Sequence, residues 1–215
     1  MKLIPLLKLA CLSALIFLPI SLHAQETAEK AREMTSNLEK IEALIDKTVK
    51  ELKEAVDQLN RIAAESDKPR DAFEDFTDQL KDYKDVQATL ADRIDHFRSV
   101  ADTRFADWEK DLAKMQGDLK SISQTRMDKA KKEYTDMDKK VRTIGAKLTK
   151  AVDKLQEVQT YFTTELNAAS IQAASKVTDA AKKSADEVTQ ALQDMKADYK
   201  QLRNDTSENT SKSKE

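Results

Sequence analysis

Asp92 and His96 stand four residues apart, a spacing that puts both on one face of a helix, where they could share a metal ion. Two ligands make a weak site, and His96 sits beside Ile94 and Phe97. A histidine at the edge of a core is the expectation. Helical bundles that hold paired metals use inward glutamates and Glu-x-x-His on two helices. That motif does not occur, and the second of the two histidines, His23, lies in the N-terminal segment. Covalent catalysis needs a nucleophile, a base and a third group that orients the base. The only cysteine is Cys11, and neither Gly-x-Ser-x-Gly nor a glycine-rich phosphate loop is present. Asp71, Glu74, Asp75 and Asp78 fall on polar helical positions. A solvated face is expected there, not a carboxylate pair tuned for proton transfer. Phe105 and Trp108 could form a recognition patch, but a bundle interior needs large apolar side chains, and core is the expectation for both. The sequence predicts no catalytic, cofactor-binding or metal-ligating residue, and a protein that is not an enzyme.

The first 24 residues differ from the rest. Lys2 and Lys8 precede an apolar run over residues 9–20, and Leu22-His23-Ala24 ends the segment on a small residue. This is the plan of a secretory signal peptide, with cleavage expected near Ala24. The competing reading is a retained membrane anchor, for which the run is short and lacks a stop-transfer pattern after it. Lipidation would need Cys11, which stands at the start of the apolar run instead of its end. Cleavage leaves 191 residues, no cysteine, and 35 basic against 39 acidic side chains, a net charge of −4. Disulfides are then impossible, so packing alone must supply stability. Both signs of charge are mixed along the chain, which argues against a nucleic-acid surface. The expected location is the periplasm or the exterior.

Positioning then falls to helices. Beyond residue 24 there are one proline, Pro69, and two glycines, Gly117 and Gly145, too few turn residues for a sheet protein. Apolar residues recur at steps of three and four over residues 26–65, 69–116, 122–165 and 168–203. The second stretch is the longest continuous stripe, from Phe73 through Phe76, Tyr83, Phe97 and Phe105 to Met115. The first repeats every seven residues, with Thr48 and Ala55 at weaker seam positions. Ser66 or Asp67 can cap the second helix, Ser121 the third and Asn167 the fourth. Asp128–Lys132, Asp136–Lys140 and Asp138–Arg142 are expected to line the wet face of the third. The predicted fold is all-α, a long antiparallel bundle of four helices. The alternative is a three-segment coiled coil continuous through Gly117, because Leu119 and Ile122 keep the apolar spacing. Residues 204–215 turn polar and are predicted to be a disordered tail.

Two stretches carry a resemblance. Asp92-Arg93-Ile94-Asp95 leads to Phe105-Ala106-Asp107-Trp108-Glu109-Lys110-Asp111-Leu112, and Phe162 is followed by Leu166-Asn167-Ala168 and Ile171. This pattern resembles a bacterial envelope family described only as domain of unknown function 2959, over roughly residues 85–200, leaving out the first helix. The resemblance implies an exported helical protein with no assigned activity. It also implies lipoprotein relatives, a point at which this chain departs because of where Cys11 stands. The function expected is a structural or protein-interaction role in the cell envelope. Its partner would be another envelope protein or a second copy of the chain. The alternative is a membrane-active or lipid-binding amphipathic protein, with the mixed charge of the polar faces against it.

Overall fold

The computed structural model describes residues 24–64 and 69–212, with side chains placed for residues 33, 35–64 and 69–200. Cys11, most of the expected signal peptide and the expected caps Ser66 and Asp67 lie outside the described residues. Five helices are described: α1 (Ala24–Ala64), α2 (Pro69–Lys114), α3 (Gly117–Thr164), α4 (Ala168–Ala173) and α5 (Ser175–Lys212). No strand occurs among the described residues, and the fold is an all-α helical bundle.

In α1 the seam runs Leu38, Ile41, Ile45, Thr48, Leu52, Ala55, Leu59 and Ile62, at alternating steps of three and four, and every one is buried. That is the seven-residue period of a coiled-coil seam. Thr48 is tolerated there because its hydroxyl donates to the Leu44 carbonyl at 2.8 Å. In α2 the buried apolar positions are Ala72, Phe76, Leu80, Tyr83, Val86, Leu90, Ile94, Phe97, Ala101, Phe105, Trp108 and Leu112. Ala72 takes the first seam position. Phe73, expected there, is half-buried, with its ring edge-on to Phe162 at 6.3 Å.

The packing forms two compact units, and α1, α2, α3 and α5 each supply a segment to both. The first unit takes residues 24–42, 93–141 and 196–212 of the described chain. Its core holds Leu38, Phe97, Phe105, Trp108, Met127 and Tyr199. The second takes residues 43–64, 69–92 and 142–195, with Leu52, Phe76, Tyr83, Leu155, Phe162, Val188 and Leu192 inside. In this unit α1 and α2 run antiparallel, with Gln79 hydrogen-bonded to Glu51 and Arg61 paired with Asp75 at 2.9 Å. Lys84 to Gln156 joins α2 to α3.

The turn between α2 and α3 corrects two expectations. The break comes at Met115 and Gln116, and α3 starts at Gly117 instead of residue 122. Gly117 has φ +65°, a left-handed conformation that glycine adopts at no steric cost, so the helix does not run through it. The Met115 amide donates to the Leu112 carbonyl at 3.2 Å and closes the last turn of α2. Ser121 is therefore inside α3, not its cap; its carbonyl accepts from the Thr125 hydroxyl. The turn also resets the phase. The buried face of α3 begins at Ser123, Met127 and Ala130, and Leu119 and Ile122 point into solvent.

Asn167 caps α4 as expected. Its side chain accepts from the Ser170 amide while the Ser170 hydroxyl accepts from the Asn167 amide, both at 2.9 Å. The single helix expected over residues 168–203 is interrupted at Ala174, where ψ is −3°. The bonds Ala174 N–H to Ser170 O and Thr178 N–H to Ala174 O still carry the i−4 pattern across it. The chain then stays helical past Asn204 to Lys212, where a tail was expected. No proline or glycine stands there to stop propagation.

Candidate functional site

The singled-out residues divide between solvent and core. Asp92 and His96 are both exposed, so His96 stands outside the core instead of at its edge. Among the described residues, no group of three or more His, Cys, Asp or Glu side chains converges to hold a metal ion. Asp71, Glu74, Asp75 and Asp78 are all exposed, and Asp75 pairs with Arg61. Phe105 and Trp108 are buried. The Phe105 ring meets Tyr134 edge-on at 5.6 Å, with the Lys131 ammonium over its face at 5.7 Å. The Trp108 indole N–H donates to the Ser123 hydroxyl at 3.0 Å, which satisfies the polar end of a buried ring. These two aromatic residues are core, as their spacing predicts.

A polar junction in the first unit was not read from the sequence. The Arg98 Nε donates to Asp138 at 2.6 Å, and a second Arg98 nitrogen pairs with Asp95. Lys140 pairs with Asp198 at 2.9 Å. Tyr199 lies buried close enough to Arg98, Asp138 and Asp198 for their charges to act on it. The junction ties α2, α3 and α5 together. Asp138, expected on the wet face beside Arg142, is instead only 20% exposed. Burial raises the Tyr199 phenol well above its ordinary range and does the same to Tyr83 in the second unit. Both therefore stay neutral near neutral pH and cannot serve as bases there. What this junction can do is hold helices in register.

Other buried polar side chains, Arg104 and Asn37 among them, were also not read from the sequence. Arg104 is almost wholly buried in α2, and Asn37 in α1 accepts from Arg93 at 3.3 Å. The only sequence signal for Arg104 is its place one residue before Phe105, beside the stripe.

No helix among the described residues is long and apolar enough to cross a membrane. No curated protein and no solved structure matches the chain at a significant level. A family model with the description "Protein of unknown function (DUF2959)" matches residues 23–204. This match takes in α1, which the short motifs had left aside. Since it covers most of the chain, from the start of α1 into α5, the protein belongs to the DUF2959 family.

Proposed function

We propose that this chain is an exported, non-enzymatic helical protein with a structural or protein-interaction role in the cell envelope, cleaved near Ala24. The observation that carries the reading is where the large side chains go. The stripes of α1, α2, α3 and α5 are consumed in mutual burial, while Asp92, His96 and the acidic set lie dispersed on solvent-facing positions. The basic-then-apolar plan of residues 1–24 supports export. The same burial weighs against the membrane-active alternative, which needs a long apolar face open to lipid. Cell fractionation with mass spectrometry of the N-terminus tests this reading. The expected product begins at Gln25 and is released with the envelope contents. An intact N-terminus in the cytosol would overturn it.

A further inference from the structure

Leu119 and Ile122 are large apolar side chains left open just past the α2–α3 turn, 74% and 57% exposed. They complete a pattern that begins in α2. Phe105, Trp108, Leu112, Met115, Leu119 and Ile122 follow one another at alternating steps of three and four, the period of a coiled-coil seam. Phe105, Trp108 and Leu112 are buried, and Met115 is half-buried. The turn strands the last two members of this seam in solvent. Only Met115 and Gln116 separate the helices, and the reversal depends on Gly117 at φ +65°. Glycine adopts the right-handed helical conformation about as readily. No proline follows Pro69, so nothing in the covalent chain stops α2 from running on into α3.

We propose that the chain forms a domain-swapped dimer in which Gly117 turns right-handed and α2 and α3 become one helix. The α3, α4 and α5 segments of each copy then pack on α1 and α2 of the other. The contacts that close the hairpin re-form between chains: Trp108 with Ser123, Phe105 with Tyr134, Arg98 with Asp138. What the swap adds lies where the two long helices cross, running antiparallel. The Trp108–Ser123 pairing, carried four residues along such helices, sets Leu112 of one copy level with Leu119 of the other. Leu119 and Ile122 thus gain a neighbouring apolar seam, and that seam extends an interface the hairpin already makes. A second copy is the occupant because it alone brings both the seam and the matching α2–α3 contacts. A two-residue connection that opens at one glycine is the kind of hinge through which identical elements exchange. The swap deepens the interaction role proposed above by naming its partner, and it rests on that part of the reading alone.

The test uses the chain beginning at Gln25, which keeps every described side chain. It is unfolded in denaturant, refolded at rising protein concentration, and sized by chromatography with light scattering. The expected result is a dimer that persists on dilution, because return to the monomer requires unfolding. Gly117→Ala raises the ratio of dimer to monomer by at least roughly tenfold, since alanine disfavours the left-handed turn. Leu119→Ser with Ile122→Ser lowers it by at least roughly tenfold. Both positions are exposed in the monomer, so its circular dichroism stays unchanged. Exchange itself is read from Glu109 of α2 and Lys131 of α3, which pair across the two helices. Glu109→Cys chains are refolded together with Lys131→Cys chains and treated with a short bismaleimide; the chain beyond Ala24 has no other cysteine. A swapped dimer yields the cross-linked pair of chains. A dimer without exchange keeps each α3 on its own α2 and yields none. Monomer at every refolding concentration, a dimer without that cross-link, or a dimer unaffected by Leu119→Ser/Ile122→Ser overturns the proposal. None of these results bears on cleavage near Ala24, which cell fractionation reads separately.

Discussion

Trp108 is the largest fully buried side chain among the described residues, and one hydroxyl satisfies its only polar atom. Ser123→Ala would leave the indole N–H without that partner in a closed core. We expect a loss of about 1–3 kcal/mol in urea denaturation, with native helicity retained. Tyr83 presents the opposite case, because its buried hydroxyl has no partner among the described residues. Tyr83→Phe should be neutral or stabilising by up to about 1 kcal/mol at neutral pH. The two buried phenols also set a pH limit. An unfolded tyrosine ionises near pH 10, while Tyr83 and Tyr199 resist ionisation in the fold. Below about pH 10 both states hold the proton and nothing is lost. Above it only the unfolded state releases the proton, so stability declines as pH rises. The melting temperature should drop between about pH 9 and pH 11, and less steeply in the Tyr83→Phe/Tyr199→Phe variant. Core membership of Phe105 and Trp108 was legible from spacing alone. The Arg98–Asp138 pair was not, because sequence shows partners four apart on one helix and is silent on partners from another.

At the scale of the element, the two glycines make opposite predictions. Gly117 occupies a left-handed conformation, and a methyl group there would meet nothing within 4 Å. The cost of Gly117→Ala is thus conformational, about 1–2 kcal/mol. Gly145 lies inside α3 with equally open space. Gly145→Ala should stabilise by about 0.5–1 kcal/mol, since it only removes backbone freedom from the unfolded chain. Thermal melts of the two variants check both signs. Helix existence was readable for α1, α2 and α3 because each stripe is long and regular. The start of α3 was misplaced because Ser121 was read as its cap, while the interval kept by Leu119 and Ile122 suggested instead a helix unbroken through Gly117. Periodicity cannot tell a residue in the core from one left outside after a turn shifts the phase. The interruption at Ala174 had no signal either, as alanine is the strongest helix former.

At the scale of the molecule, the chain beyond Ala24 contains no cysteine, and it carries 35 basic and 39 acidic side chains. Its cohesion rests on packed apolar seams with a few interhelical ion pairs. The melting temperature of the Gln25-start chain should be identical with and without a reducing agent, checked by calorimetry. The helical class of the fold was fully legible, since Pro69 and the two glycines leave no room for sheet turns. Its division into two compact units was not, because that division falls within unbroken helices and leaves no mark in the local pattern. The placement of the lone indole has an optical consequence. Trp108 belongs to the first unit, whereas Phe73, Phe76, Tyr83 and Phe162 of the second are nearly silent when the indole is excited selectively. Intrinsic fluorescence is thus a gauge of one half of the protein, and ellipticity averages over both. If the halves melt at different denaturant concentrations, the two spectroscopic curves will separate, and the gap between them will measure the difference directly.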